Sequence, residues 1–287
     1  MIMRIVLISL AAVLMAATAL AGCGGANELA AGSGEQVVAA FYPLAYAAEE
    51  IGGPGIEVEN LTPPGAEPHD LEVSPRDVQR IRSADLVLLL GRDFQPQLEQ
   101  AAGEREQVVR LLDLPELDVL PNGDPHVWLD PLRYARIVER IGAELGRRQE
   151  AEALVARLHE LDDEFRSSLA NCSRGEIVTS HEAFAYLAER YGLRQVAITG
   201  LSPEAEPAPR DLQRVVALVR RTGATTVFFE TLVSPRIAET VAREAGARTA
   251  VLNPIEGLTP EEEDRGEDYF SVMRANLDTL RQALGCR

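Results

Sequence analysis

Two periods of apolar spacing alternate along this chain, and each switch marks a change of element. Gln36–Phe41 reads as a strand. YPLAYAAEEIGG after it carries apolar residues at helical spacing up to a Gly pair, a common helix stop. Ile56–Leu61 alternates as a second strand, and Ser74-Pro75 opens a helix to Ala84 with a capping Ser and a Pro in its first turn. Leu86–Leu90 is a short apolar run of the buried, parallel-strand kind. Asp130-Pro131 caps a further helix, and helical spacing persists to about Leu169 through Leu154, Val155, Leu158 and Leu161.

Beyond that stretch the alternation restarts. EIVTS, QVAITG, TTVFFE and TAVLNP read as strands. EAFAYLAERYG, PRDLQRVVALVRRTG, SPRIAETVAREAG and Tyr269–Leu284 read as helices. The pattern predicts an α/β fold of two lobes, each a parallel sheet flanked by helices, over residues 36–148 and 173–287. One long, rigid helix over 149–172 is expected to join them. Ligands of such sheets bind beyond the carboxyl ends of the strands, so a site is expected in the cleft between the lobes.

The first residues have a different character. Met1–Arg4 is a short basic start, Ile5–Ala19 is almost wholly apolar, and Leu20-Ala21-Gly22-Cys23 closes the run. This describes an export signal over residues 1–22 rather than a spanning helix. Cys23 resembles the lipid-modified residue of a bacterial lipoprotein box; a plain signal with an incidental Cys is the alternative. Residues 23–35 then read as a lipidated, flexible tether. The expected location is extracytoplasmic, with the protein held on the bacterial cell membrane by its lipid and not by a helix.

Charge narrows the partners. The formal net charge of −17 argues against nucleic acid and against an anionic membrane surface as partners; every Lys+Arg residue is arginine. With Cys23 assigned to lipid, Cys172 and Cys286 form one possible disulfide or remain two thiols. Neither lies in a Cys-x-x-Cys motif, so a thiolate metal site lacks support.

Three of the 4 histidines sit in short, distinctive contexts far apart in sequence: His69 in GAEPHD, His126 in DPHVWLDP and His181 in TSHEAFAYLAERYG. Neutral imidazole is a usual protein ligand for first-row divalent metals, and ligands from distant segments make a site that exists only in the folded chain. His159, in the long helix beside Arg157 and Glu160, reads instead as a solvated residue. Glu67, Asp70, Asp124 and Glu182 flank the three histidines and are candidates to orient them. Glu230 ends the apolar strand TTVFFE and is the preferred supporting carboxylate. Trp128 reads as a packing residue.

With these motifs in order, together with FYPLAYAAEEIGG, HDLEVSPRDVQRIRSADLVLLLG and VLNPIEGLT, the chain resembles the metal-binding solute receptors of bacterial zinc and manganese ABC importers, the cluster A-I group. The resemblance implies a non-enzymatic receptor that passes one divalent ion to a membrane permease driven by an ATPase. It implies two lobes bridged by a helix that limits closure, and a monomer. It places ligands at His69, His126 and His181, and the third imidazole points to zinc over manganese. Many relatives carry Asp where Asn253 stands, so the fourth ligand is expected to be Glu256, with Asn253 or a water as alternatives. Protonation of the histidines is expected to weaken binding below roughly pH 6. A manganese receptor, an extracytoplasmic zinc hydrolase and a surface adhesin are the other readings; the hydrolase lacks an H-E-x-x-H helix.

Overall fold

Two parallel sheets of the same topology organise residues 34–287, the span described by the computed structural model. The export segment, Cys23 and most of the expected tether lie outside the described residues. The first sheet contains β1 (Glu35–Ala39), β2 (Ile56–Asn60), β3 (Leu86–Leu89) and β4 (Val108–Arg110), in the order β2-β1-β3-β4. The second contains β5 (Glu176–Thr179), β6 (Arg194–Ala197), β7 (Thr226–Phe229) and β8 (Arg248–Val251), in the order β6-β5-β7-β8. Every named pairing is parallel, so between consecutive strands of a sheet the chain crosses over and re-enters from the same end.

The helices are α1 (Tyr42–Gly52), α2 (Pro75–Ser83), α3 (Pro96–Ala102), α4 (Pro131–Glu144), α5 (Arg148–Leu169), α6 (Ala185–Tyr191), α7 (Pro209–Thr222), α8 (Arg236–Ala245), α9 (Pro260–Asp264) and α10 (Tyr269–Leu284). Their starts are chemical. Ser74 and Asp77 form a reciprocal capping box on α2, and Asp130 accepts from the Leu132 and Arg133 N–H groups at the head of α4. The long helical stretch in the middle of the chain is broken once. Gly146 takes φ +64 after α4, and α5 begins at Arg148. The two helices then pack so closely that a Cβ on Gly142 would lie 2.4 Å from the Ala151 Cβ, so only glycine fits there.

α5 runs for 22 residues, about 33 Å at helical rise, and buries Leu154, Leu158, Leu161, Phe165 and Leu169. These side chains belong to a single apolar cluster that includes Val87 and Leu88 of the first sheet and Ile177, Phe228 and Tyr269 of the second half. A smaller cluster, including Val178, Val215, Val227 and Val241, lies between the second sheet, α7 and α8. Because the main core is continuous through both halves, wide separation of the lobes would expose it to water. Cys172 and Cys286 are joined by a disulfide, fastening the segment after α5 to the end of α10. Among the described residues no helix is long and apolar enough to cross a membrane.

Candidate metal centre

The strand order of the second sheet reverses between β5 and β7. These strands end at Thr179 and Phe229, immediately before Ser180-His181 and Glu230. A topological switch point is where open α/β sheets present ligand groups, and here it presents an imidazole and a carboxylate side by side. The His181 Nδ1–H donates to Glu230 Oε1 at 2.8 Å, and the Ser180 hydroxyl donates to the same oxygen at 2.6 Å. The His181 carbonyl accepts from the Thr179 hydroxyl at 2.7 Å and from the Gln195 amide at 3.0 Å, so backbone and ring are both fixed.

The first half supplies two more imidazoles from loops. His126 precedes a single 3-10 turn, Val127–Leu129. Asp124 Oδ1 accepts from the His126 backbone N–H at 3.0 Å and from its Nδ1–H at 2.6 Å. His69 lies in the turn Pro68–Asp70, whose head is capped by Glu67 Oε1 accepting the His69 N–H at 2.9 Å. Its ring meets Phe94 edge-on, with centroids 4.7 Å apart.

All three rings turn their Nε2 atoms to one carboxylate. Glu256 Oε1 lies 2.9 Å from His126, 3.3 Å from His69 and 3.4 Å from His181, and the His126 and His181 Nε2 atoms are 3.4 Å apart. One ligand atom from each of the four residues lies within 4.8 Å of the other three. Tetrahedral zinc with bonds of about 2.0–2.1 Å holds its ligand atoms roughly 3.3–3.4 Å apart, so these spacings suit a zinc-sized ion at the centre. His126, His181 and Glu256 are buried, whereas the His69 side chain is 11% exposed. The second oxygens of Glu256, Glu230, Asp124 and Glu67 are buried without a hydrogen-bond partner among the described residues.

The cluster's own charges shift the proton affinities of its members. Burial by itself pulls the His181 imidazole down, but its bonds to Glu230 and Glu256 outweigh that and raise it to about 10. His126 is raised in the same way against the pull of burial, by Asp124 and Glu256. Burial pushes Glu256 up, yet the three imidazoles hold it well below the usual carboxylate range. Glu67 goes the other way: burial and the neighbouring Glu256 charge raise it to about 9.

The remaining candidates fall outside the cluster. Asn253 turns its side chain away from the imidazoles, to Thr231, Glu262 and the Ile255 N–H. Asp70 is exposed, the Glu182 side chain is not among the grouped ligands, and His159 is exposed on α5. Ser180, Gln195 and Phe94 act at the site and were missed by sequence reasoning. Ser180 had a signal, since it ends the strand that delivers His181. Trp128, read as packing, also bonds across the site: its Nε1–H donates to the Pro254 carbonyl at 2.8 Å.

The chain is similar to known proteins over nearly all of its described residues. Residues 37–283 match the model of the family described as ZnuA, zinc-uptake complex component A, periplasmic. The high-affinity zinc uptake system protein ZnuA of Bacillus subtilis is 32% identical over 300 residues, covering 92% of this chain and 93% of that protein. The zinc-binding lipoprotein AdcA of Streptococcus pneumoniae is 33% identical over 305 residues, and this chain spans 60% of its length. Among solved structures, the Zn(II)-bound ZnuA-like domain of that organism's AdcA superposes with a TM-score of 0.75 at 34% identity, over 88% of this chain and 99% of the domain. The laminin binding protein Lmb of Streptococcus agalactiae, described as bifunctional with adhesin and metal transporting activity, superposes with a TM-score of 0.80 at 30% identity, over 88% of this chain and all of that one.

Proposed function

Because the chain belongs to the ZnuA family of zinc-uptake components, we propose that it is the extracytoplasmic receptor of a zinc importer, with His69, His126, His181 and Glu256 as the ligands of the transported ion. It is a receptor and not an enzyme: its ion is cargo to be passed on, and the partners are a permease and its ATPase. The observation that carries the reading is the convergence of three Nε2 atoms and one carboxylate oxygen, drawn from both lobes, within 4.8 Å. Three nitrogen donors and a single oxygen suit zinc, whereas manganese prefers oxygen-rich sites of higher coordination. Asp124 and Glu230 orient His126 and His181 and raise their basicity as ligands.

Anchoring through a lipid on Cys23 belongs to the same proposal. It is supported by the leader-like sequence before that residue and by the lipoprotein AdcA among the relatives. A monomeric receptor is expected. Of the other readings, adhesion has one supporting observation, the likeness to Lmb, and would be a second use of the same fold.

The test is a calorimetric titration of the chelated soluble chain lacking residues 1–23 with zinc and, separately, manganese. One-to-one zinc binding tighter than manganese is expected, with strong loss in His181→Ala and in Glu256→Ala. Tighter manganese binding would reassign the cargo, and no binding of either ion would sink the receptor reading.

A further inference from the structure

The fourth ligand is held unlike the other three. His126 and His181 are fixed through their rings by Asp124 and Glu230, and His69 sits in a capped turn. Outside the imidazoles Glu256 meets only the buried carboxyl of Glu67, a loop acid of the opposite half, and no charged partner fixes it as Asp124 and Glu230 fix their rings. Its bonded oxygen faces the three imidazoles, and its other oxygen is buried without a hydrogen bond among the described residues. The backbone that carries it therefore has a large part in setting its position.

That backbone is strained. Ile255, immediately before Glu256, takes φ +56 and is fully buried. A β-branched residue in the left-handed region is a genuine outlier and persists only where its surroundings over-determine it. Three residues do so here. Asn253 Oδ1 accepts the Ile255 N–H at 2.7 Å, closing a local turn over Pro254. Asn276 on α10 holds Asn253 in both directions, accepting its N–H at 2.8 Å and donating to its carbonyl at 2.7 Å. Trp128, two residues after His126, donates to the Pro254 carbonyl at 2.8 Å and ties the turn to the first-lobe ligand loop.

We infer that Asn253 is a positioning residue for the fourth ligand, holding Ile255 in its left-handed conformation so that the Glu256 carboxylate is delivered against the His126 and His181 Nε2 atoms. This rests on Glu256 being a zinc ligand, as proposed above. It also gives Asn253 a part in the site without contact to the ion. Relaxing Ile255 to the β or right-handed region would redirect the chain at Glu256 and withdraw its oxygen from the cluster. The clamp thus converts a costly backbone conformation into ligand geometry, with Asn276 and Trp128 anchoring it on the two sides.

Zinc affinity of four chains, measured by competition with a chromophoric chelator, tests the inference: the parent, Asn253→Ala, Asn253→Ala with Ile255→Gly, and Asn253→Ala with Glu256→Ala. Asn253→Ala is expected to weaken zinc about 10–100-fold, the range of residues that support metal ligands. Glycine adopts a positive φ without steric penalty, so adding Ile255→Gly is expected to recover most of that loss. On the Glu256→Ala background, Asn253→Ala is expected to cost nothing further, because the carboxylate it positions is gone. The inference is overturned by any of three results: affinity within about twofold of the parent in Asn253→Ala, a loss that glycine fails to repair, or a loss that adds fully to Glu256→Ala. Should Asn253→Ala fail to fold, Ile255→Gly made together with Asn253→Ser supplies the same comparison, and absence of repair there counts equally against it. A parent that binds no zinc overturns the receptor reading and this inference with it.

Discussion

His126 and His181 are gripped at both ring nitrogens, by Asp124 or Glu230 on one side and Glu256 on the other, and both are buried. His69 offers the same imidazole under different restraint. Its one side-chain hydrogen bond among the described residues is to Glu256, its neighbouring acid holds the backbone instead of the ring, and the side chain is partly exposed. If the four residues are the ligands proposed above, the contrast separates two tasks among them: the buried pair is held in place from both sides, and the less restrained rim histidine is the expected point of entry and exit. A continuous core beneath the site limits lobe motion, so movement at the rim is the cheaper route for exchange.

Removing the proposed ligands is the largest perturbation of this contrast. His126→Ala and His181→Ala are each expected to weaken zinc by more than about 100-fold, beyond the range that supporting residues carry. His69→Ala is expected to cost less in affinity, because water can reach its place, while raising the dissociation rate. Equilibrium competition and stopped-flow release into excess chelator measure the two quantities. A loss in His69→Ala equal to that in His126→Ala would erase the distinction.

Next come the acids behind the buried pair. Asp124→Asn and Glu230→Gln keep hydrogen-bonding shape but remove the charge that makes each imidazole a stronger donor to the ion. Each is expected to weaken zinc about 10–100-fold with little change in secondary structure by circular dichroism. Parental affinity in both would mean that burial alone organises these rings.

Protons compete with zinc for the same nitrogens, and the surroundings of these rings shift where that competition falls. With His181 raised to about 10 and His126 raised by Asp124 and Glu256, proton competition is expected to extend above roughly pH 6. Zinc affinity is therefore expected to rise about tenfold per pH unit through the neutral range for each proton displaced. The metal-free protein has the opposite dependence. A His181 pKa above its unfolded value of about 6.5 gives stability that is complete below that pH and is lost as pH rises through about 10. The depressed Glu256 gives stability present above its unfolded value of about 4.5 and lost as pH falls. Melting of the chelated chain is expected to peak in mildly acidic buffer, while the zinc-induced rise in Tm grows with pH. Zinc affinity independent of pH from about 6 to about 8 would contradict protonated imidazoles in the metal-free site.

Much of this was legible in the sequence, for local reasons. Apolar runs bounded by Gly, Pro and capping residues reveal buried strands and helix starts, and the final helix has the bounds read from its periodicity, Tyr269–Leu284. The three histidine contexts stood out because Pro and Asp beside a histidine describe turns and not a helix face. Short elements were missed: α3 spans 7 residues and β4 only 3, too few for periodicity to register. α6 starts at Ala185, later than its apolar pattern suggests, because His181–Phe184 is drawn into the turn that delivers the imidazole. Glu256 was reached by resemblance alone. The conformation of Ile255 had no signal, since isoleucine is among the last residues expected at positive φ. The Trp128–Pro254 bond joins residues 126 apart, and no local pattern encodes such a contact.

The smallest expected effect probes the rim histidine's own acid. Glu67 stands two residues before His69 as Asp124 stands two before His126, and sequence alone makes them equivalent. Their geometry does not. Asp124 reaches both the backbone and the ring of its histidine, whereas Glu67 reaches only the backbone N–H. Burial and the Glu256 charge also raise Glu67 to about 9, so it is protonated and neutral at pH 7 in the metal-free chain. Glutamine keeps the oxygen that caps the turn and matches that neutral form. Glu67→Gln is accordingly expected to leave zinc affinity within about threefold of the parent, well short of the loss in Asp124→Asn. Competition titration of the two variants side by side decides the matter. A tenfold or greater loss in Glu67→Gln would mean that its charge acts on the ion, and the rim would then be held as firmly as the interior.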